Sequence, residues 1–344
     1  MQRVTLQQIA DATGLGKSTV GYILRGDRKR FTEESCELVL RTARQLGYRS
    51  NVAARAMSKG RFGAVALINS TGFLRSIFSP HLLTGIDASL QQAGLLLTVA
   101  ALDDEHLTDR ERLPSLLSDL SVDGILLNYA FHQPPGLNEL LSQLGLPTVW
   151  INAKYADNAV YANDHGGAQT ATERLLKLGH TRIAYCDPEI GSDDDQVFWH
   201  YSMHDREAGY RAAMTAAGLP AQVWRPKHRQ PPHEWLDLCR EWFANPTRPS
   251  AILCYSPRIA RNLLMAASQL DIKIPQDCSL MTFAAGLVDD LQVPIDTVLI
   301  PDRAIGHAAV AMLRDQIATG TTKQVSQAIT MDLAQGASCS PPTP

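Results

Sequence analysis

A glycine, a lysine and a serine follow one another within residues 14–24, GLGKSTVGYIL, in the order that phosphate-binding loops use. In the P-loop pattern G-x-x-x-x-G-K-[ST], backbone N–H groups and the lysine hold nucleotide phosphates. Residues 16–18 match the end of this pattern, but Asp11 occupies the position of its first glycine, and its carboxylate would repel a phosphate. We therefore discard nucleotide hydrolysis as the chemistry of this stretch.

A helix-turn-helix explains the same stretch better. An apolar stripe starts at Leu6 and recurs at i+3 and i+4, which is helical spacing. Thr5 is a suitable N-cap, and Gly14 can adopt the left-handed conformation that ends a helix. We expect a first helix over residues 6–13 and a second over residues 17–24.

The second predicted helix carries polar side chains on its outward face. Val20, Ile23 and Leu24 point toward the first helix, which leaves outward the positions at which a recognition helix meets bases and phosphates in the major groove. An ordinary helical hairpin has the same apolar pattern and stays open as an alternative. The DNA-binding residues predicted in and beside this helix are Thr5, Lys17, Ser18, Thr19, Tyr22 and Arg25.

The chemistry of these side chains predicts which of them contact bases and which contact phosphates. Lys17 can donate to guanine or to a phosphate, Ser18 can bond either, and the ring of Tyr22 can contact a thymine methyl group. We expect Thr19 to hold a phosphate and Arg25 to attract the DNA backbone from the following loop. A solvated surface charge is the alternative role of Arg25.

The first sixty residues are basic, whereas the rest of the chain is acidic. They contain eleven Lys or Arg against five Asp or Glu, although the whole chain has a net charge of -3. Residues 32–46 predict a third amphipathic helix, capped by Thr32 and ended by Gly47, which closes a small core with the first two. A small basic head that folds by itself is a candidate nucleic-acid surface.

Several other classes of protein find no support in the sequence. Six scattered cysteines without paired spacing indicate neither disulfides nor a zinc site, and no catalytic constellation or cofactor motif is present. No apolar run reaches the length of a signal peptide or a membrane span, so we expect a cytoplasmic protein without membrane contact. We expect it not to be an enzyme.

The body of the chain alternates short apolar runs with helical patterns. Eight such runs are visible, and helices of about 12 to 16 residues separate them. This alternation predicts α/β architecture with parallel sheets and ligands at the carboxyl ends of the strands. The runs are GAVALI, GLLLTVAAL, DGILLNYA, PTVWINA, TRIAYCD, SAILCYS, CSLMTFAA and DTVLI.

The head, VTLQQIADATGLGKSTVGYILRG followed by TEESCELVLRTARQLGYRSNVAARAM, resembles the DNA-binding head of the lac-repressor (LacI/GalR) family, and the similarity continues along the chain. The resemblance implies a homodimer whose heads read the half-sites of a near-palindromic operator in double-stranded DNA. It also implies a hinge helix that enters the minor groove, with DNA contacts from Asn51, Ala54 and Met57. Met57 stands where the family uses an apolar wedge; packing between two hinge helices is its alternative role.

The resemblance also implies the division into domains. An all-α helix-turn-helix head covers residues 1–49, and the hinge helix and linker cover residues 50–60. Residues 61–340 form a two-lobed α/β body like the type I periplasmic binding proteins, which binds the effector and dimerises. The lobe boundary lies near residue 160, with crossovers near residues 160, 288 and 320.

The sequence departs from the family pattern at both predicted sites. Gly16, Gly21 and Tyr22 replace two serines and an arginine, so we expect an operator unlike the family's commonest one. In the cleft, Ala284 replaces an acid and Ser256 replaces an asparagine, which removes two polar groups that would bind a sugar.

Arg206 matches the family arginine whose guanidinium donates paired hydrogen bonds to ligand oxygens, and a structural ion pair is its alternative role. His180 follows a helix end, where a capping role outweighs a ligand role. In the acidic and aromatic segment 191–205, His200 and His204 do not suffice for a metal site. The effector-binding residues that we predict are Ser76, Phe78, Tyr129, Asp164, Trp199, Arg206 and Ser256. For each of these except Arg206, packing in the core or in a loop is the alternative role.

The sequence thus predicts a DNA-binding transcriptional regulator, as a repressor, whose operator affinity depends on a small molecule between the lobes. A carbohydrate or a derivative is the effector class that the resemblance implies. An effector-independent regulator or a non-sugar ligand remains the alternative, and a solute-binding receptor without DNA function is a more distant one.

Overall fold

The computed structural model describes residues 4–48, 61–72, 76, 79–109, 111–113, 117, 121–129, 134, 136–187, 200–226, 234–289 and 293–343. The chain divides into two compact units, of which one contains the head up to Ala64 with Ser121–Asp123 and the other contains the rest. Within the described ranges, no helix is long and apolar enough to cross a membrane.

Three short helices form the head, as the sequence predicts: α1 (Leu6–Thr13), α2 (Lys17–Leu24) and α3 (Glu33–Gln45). Thr5 begins α1 with a capping box, in which Gln8 N donates to Thr5 Oγ1 at 3.3 Å and Thr5 N donates to Gln8 Oε1 at 2.8 Å. Gly14 ends α1 at φ +68°. Local capping chemistry therefore sets the turn that orients α2.

The head has its own apolar core. Ile9 from α1, Val20 and Ile23 from α2, and Val39 from α3 are completely buried. Because these residues are contributed by all three helices, the core fixes which face of α2 points outward.

The first lobe of the body is built on a six-stranded sheet in the order β11-β5-β4-β3-β1-β2. The pairs that join β1, β3, β4, β5 and β11 are parallel. Its strands are β1 (Ala64–Ser70), β2 (Leu96–Leu102), β3 (Gly124–Asn128), β4 (Thr148–Ile151), β5 (Ala159–Ala162) and β11 (Gln327–Ile329). Its helices are α4 (Pro80–Gln92), α5 (Asp104–Thr108), α6 (Leu137–Leu144) and α11 (Asp302–Thr319).

The second lobe repeats this plan with a sheet in the order β12-β10-β9-β8-β6-β7, in which only the β10–β12 pair is antiparallel. Its strands are β6 (Ile183–Cys186), β7 (Gln222–Trp224), β8 (Ala251–Cys254), β9 (Ser279–Ala284), β10 (Asp296–Leu299) and β12 (Asp332–Ala334). Its helices are α7 (Asp164–Lys177), α8 (Tyr201–Ala216), α9 (Trp235–Ala244) and α10 (Pro257–Gln269). Both sheets match the predicted fold class, a two-lobed α/β body with parallel sheets.

The chain passes between the two sheets three times. The first crossing follows Ala162, close to the predicted position near residue 160. The second follows β10 and the third follows β11, both C-terminal of the positions predicted near residues 288 and 320. The second is displaced because Val288 forms an antiparallel bridge with Ile295 inside the second lobe, so the chain stays there until β10 is complete.

Close helix contacts in each lobe depend on glycine. A Cβ atom at Gly209 of α8 would lie 2.1 Å from the carbonyl oxygen of His165 in α7. No side chain fits there without separating the two helices, because the atom it would meet is backbone. This contact fixes the side of α8 on which Arg206 stands relative to α7.

Candidate DNA-binding and effector sites

The outward face of α2 presents the side chains that the sequence predicts to contact DNA. Lys17, Ser18, Tyr22 and Arg25 are exposed, and Thr19 is half-buried. Thr5 is exposed beside them, although its hydroxyl already caps α1. The helix therefore carries a continuous polar surface on the side opposite Val20.

An aromatic and cationic group organises the C-terminal end of this surface. The ring of Tyr22 stacks with that of Phe31 at a centroid distance of 6.4 Å, and the Arg25 guanidinium carbon lies 4.9 Å from the Tyr22 centroid. Tyr22 nevertheless keeps 43% of its surface exposed. The sequence did not reveal this packing, since Phe31 and Arg25 lie in the loop after the helix.

The predicted minor-groove contacts Asn51, Ala54 and Met57 lie outside the described residues. The predicted effector residues Phe78 and Trp199 also lie outside them, as does most of the acidic and aromatic segment.

A buried ion pair lies at the carboxyl edge of the second sheet. Arg206 Nε donates to Asp164 Oδ1 at 2.6 Å, and Arg206 Nη1 donates to the Tyr255 carbonyl oxygen at 2.7 Å. The guanidinium also lies between two rings, 4.6 Å from the centroid of Tyr255 and 4.1 Å from that of Phe283. Four groups, contributed by α7, by β9 and by the residue after β8, thus hold one side chain.

Electrostatics keep the Arg206 guanidinium ionised. Burial disfavours the charged guanidinium, but the adjacent Asp164 together with Tyr255 and Tyr185 outweighs this effect, so the pKa of Arg206 lies above its usual value. Arg206 retains only 6% of its surface. The structural ion pair, which was the alternative role for Arg206, is therefore present in this conformation.

A hydrogen-bonded chain extends from this pair through the start of α8. His200 Nε2 donates to the Asn152 carbonyl oxygen at 2.9 Å, and its Nδ1 lies 2.7 Å from Ser202 Oγ. Ser202 Oγ lies in turn 2.9 Å from the Tyr255 hydroxyl. Burial lowers the pKa of His200, which favours the neutral ring. No metal-binding group of three His, Cys, Asp or Glu side chains occurs among the described residues.

The other described candidates occupy the carboxyl ends of the strands. In the first lobe, the Ser76 hydroxyl donates to the Asn128 carbonyl oxygen after β3 and accepts from Ser70 N at 2.7 Å. Tyr129 is buried, and its hydroxyl donates to the Leu102 carbonyl oxygen at 3.2 Å. In the second lobe, Ser256 is half-buried and precedes α10 without a side-chain capping bond.

Two residues near Arg206 were not predicted from the sequence to belong to this site. Tyr255 and Phe283 were visible only as members of apolar runs, yet their rings cover the guanidinium. Ala284 follows Phe283 directly, so the surface formed by Tyr255, Phe283 and Ala284 carries aromatic and methyl groups at the place where, as the sequence already indicated, the resembled family has an acid.

His180 has a structural role that differs from the predicted helix cap. Its Nδ1 lies 2.9 Å from Ser250 Oγ, and its Nε2 donates to the Ser340 carbonyl oxygen at 2.9 Å. The ring thus ties the C-terminal residues to the second lobe, and only its backbone N–H, donating to Leu175, contributes to the helix end. The sequence could not indicate partners 70 and 160 residues away.

A cavity of about 430 Å³ lies against the side of α8 that carries Glu207 and Arg211. The charged residues that line it form ion pairs with one another. Arg225 contacts Asp187 at 2.8 Å and also contacts Glu207, and Arg211 contacts Glu207 at 2.7 Å. Burial opposes ionisation of Glu207, but Arg211 and Arg225 hold the pKa of its carboxyl below the usual value. The cavity therefore offers balanced charges instead of one dominant sign.

The chain is similar to known proteins over most of its length. Residues 172–339 match the periplasmic binding protein-like domain. The HTH-type transcriptional regulator CelR of Thermobifida fusca is 25% identical over 338 residues, which cover 94% of this chain and 95% of that protein. The ribose operon repressor of Escherichia coli (strain K12) is 23% identical over 335 residues, covering 93% and 95%. The maltose regulon regulatory protein MalI of the same strain is 28% identical over 325 residues, covering 89% and 90%.

Solved structures share the fold. The lac repressor dimer bound to operator and the anti-inducer ONPF has a TM-score of 0.76 at 17% identity, and the CelR–cellobiose complex has 0.62 at 23%. Both alignments cover 98% of this chain and 100% of the other. In its head motif, its two-lobed body and nearly its whole length, the chain is thus similar to transcriptional regulators of the lac-repressor (LacI/GalR) family.

Proposed function

We propose that this protein is a sequence-specific DNA-binding transcriptional regulator, acting as a repressor, whose operator affinity is controlled by a small molecule bound between its two lobes. The observation that carries the proposal is the exposed polar face of α2 on a closed three-helix core. A helix presented in this way fits the major groove, and its lysine, serine and tyrosine supply base and phosphate contacts.

The basic charge of the head supports DNA as the partner. Arg28 and Lys29 in the loop after α2 are exposed, so they are available to phosphates next to the recognition helix. A homodimer would present two such heads to the half-sites of a near-palindromic operator.

The effector proposal rests on the body. Relatives with this architecture have been solved with cellobiose and with ribose, which makes a carbohydrate or a derivative the first class to test. A ligand that binds one arrangement of the lobes more tightly than the other shifts the population toward that arrangement. By linkage, the factor by which the ligand changes the affinity for DNA equals the factor by which DNA changes the affinity for the ligand.

The residues around Arg206, namely Tyr255, Phe283 and Ala284, favour a second candidate function: a regulator with a non-sugar effector or with no effector. Tyr255 and Phe283 cover the guanidinium, and Ala284 supplies no acceptor for ligand hydroxyls. We expect a surface formed by these three residues to bind ligands with apolar or aromatic parts more tightly than polyhydroxylated rings.

Selection of duplexes from a random pool by the full-length protein tests the DNA function. We expect a near-palindromic consensus. On that consensus, Tyr22→Ala should alter base preference more than it weakens binding to unrelated DNA, and Val20→Asp should unfold the head, since Val20 is completely buried. Recovery of no consensus from the pool at physiological salt would refute the proposal.

A thermal-shift screen of sugars, sugar acids and nucleobases tests the effector. A ligand at a hundred times its Kd stabilises the protein by about 2.7 kcal/mol, which is readily measured. Stabilisation by sugars alone would contradict the non-sugar candidate, and stabilisation by nucleobases alone would contradict the sugar.

A further inference from the structure

The cavity beside α8 lies at the carboxyl ends of two paired strands. Asp187 follows β6 directly, Arg225 follows β7 directly, and these two strands run parallel. The space outside the carboxyl ends of parallel strands is where α/β sheets bind ligands. A volume of about 430 Å³ is that of a site for a small organic molecule.

This cavity is separate from the surroundings of Arg206. Glu207 follows Arg206 on α8 and lines the cavity. Among the described residues, the lining includes none of the partners of Arg206, which are Asp164, Tyr255 and Phe283. A ligand here therefore occupies a different place from the effector proposed above.

The acids and arginines that line the cavity are equal in number but unequal in exposure. The side chains of Asp187 and Glu207 are only 2% and 18% exposed. Those of Arg211 and Arg225 are 49% and 37% exposed. A solute that enters the cavity therefore meets guanidinium groups more readily than carboxylates.

Hydrogen bonding is unequal in the same direction. Each carboxylate oxygen of Glu207 accepts a bond, one from Nε of Arg211 at 2.7 Å and the other from Nη2 of Arg225. The same Nη2 of Arg225 donates to Asp187 at 2.8 Å. Within the described part of the chain, Nε and Nη1 of Arg225 and both Nη atoms of Arg211 donate to no partner. These four nitrogen atoms are available to a ligand.

Guanidinium donors of this kind select the ligand's chemistry. They are permanently charged, and their planar arrangement matches the oxygen atoms of a carboxylate or a phosphate. Met203 and Ala208 line the cavity beside the charged groups and offer apolar surface to the rest of the ligand. A thioether such as that of Met203 also packs favourably against an aromatic ring.

We propose that this cavity is a second ligand site, which binds a small organic oxyanion. The carboxylate or phosphate group accepts hydrogen bonds from Arg211 and Arg225, and the apolar part of the molecule lies against Met203 and Ala208. The inference goes beyond the proposed function and does not depend on it.

Titration calorimetry of the full-length protein tests the site with probes that share one aromatic ring. Benzoate carries a carboxylate, phenyl phosphate carries a phosphate, and benzyl alcohol carries no charge. We expect at least one of the two oxyanions to bind at least about tenfold more tightly than benzyl alcohol, because its hydrogen bonds to guanidinium are charge-assisted. All titrations use one ionic strength, so that screening is the same for each probe.

Two variants locate the bound probe, and thermal melts verify that each is folded. Arg211→Gln removes one guanidinium while Arg225 still pairs with Glu207, and it should weaken oxyanion binding at least about tenfold. Ala208→Phe fills the cavity at an exposed helix position without changing charge, and it should abolish binding. Arg240→Gln is the matched control and should leave binding unchanged, because Arg240 is similarly exposed and pairs with Asp237 on its own helix outside the cavity.

The outcomes decide for or against the site. A preference for benzoate or for phenyl phosphate supports the proposal and identifies the oxyanion. Failure of both to bind at millimolar concentrations, or equally tight binding of benzyl alcohol, overturns it. Binding that either Arg211→Gln or Ala208→Phe leaves unchanged places the probe elsewhere, such as on the basic head, and also overturns it. No DNA is present in these titrations, so the duplex selection tests the proposed function independently.

Discussion

Removal of the carboxylate of Asp164 should destabilise the body strongly. The side chains of Asp164 and Arg206 are 1% and 7% exposed, and their 2.6 Å contact compensates both charges. Asp164→Ala leaves an uncompensated guanidinium in a nearly dry site, and breaking such a pair by deleting one partner costs about 3–5 kcal/mol. A domain of this size loses about 2–4 °C in Tm for each kcal/mol, so we expect Tm to fall by about 6–20 °C.

The matched control is an ion pair of the same length on the surface. Lys154 Nζ contacts Asp205 Oδ2 at 2.6 Å, but the Lys154 side chain is 46% exposed. Lys154→Ala should therefore cost no more than about 1 kcal/mol. Thermal and urea unfolding of the full-length protein, followed by circular dichroism, compares the two variants. Equal destabilisation by Asp164→Ala and Lys154→Ala would refute the reasoning, because burial would then contribute nothing to the cost.

Three further predictions concern buried side chains and close packing. Burial lowers the pKa of His180, so the unfolded chain binds the proton more tightly; stability should fall as the pH drops through about 6.5, and His180→Gln should flatten a plot of Tm against pH. An unchanged slope would contradict this. Gly209→Ala should lower the Tm by several degrees, because its Cβ would meet the His165 backbone at 2.1 Å; a wild-type Tm would show that the helices separate freely. Of the six free cysteines, five are buried, so a thiol reagent should modify those five only after denaturation; rapid labelling of the native protein would count against this packing.

The head was predictable because its signals are local. The cap at Thr5 and the left-handed Gly14 act within four residues of the backbone they organise. The bounds predicted for α1 and α2, residues 6–13 and 17–24, are those observed. The stacking of Arg25 on Tyr22 was not predictable, since it depends on how the loop returns to the helix.

The body was predictable where strands are long and buried. All eight apolar runs became strands, whereas four short strands were missed: AVYA in β5, QVW in β7, QAI in β11 and DLA in β12. Each has only three or four residues, and most are partly exposed, so their sequence carries little periodicity. Pairing with neighbouring strands defines them, and this is also why the second and third crossings were placed too early.

The candidate effector residues illustrate the same limit. Asp164 and Arg206 were each singled out, but 42 residues separate them, and only the packing of α7 on α8 makes them a pair. Tyr255 and Phe283 come from different elements, and no spacing in the sequence indicates that both rings would cover one guanidinium.

The central claim is that this chain recognises one DNA sequence. Fluorescence polarisation of the selected near-palindromic duplex, titrated with the full-length protein at physiological salt, measures it directly against a duplex of the same composition with both half-sites scrambled. We predict that the selected duplex binds at least about 10³-fold more tightly. Equal affinity for the two duplexes, falling in parallel as salt increases, would show that only phosphate charge is recognised and would contradict the claim.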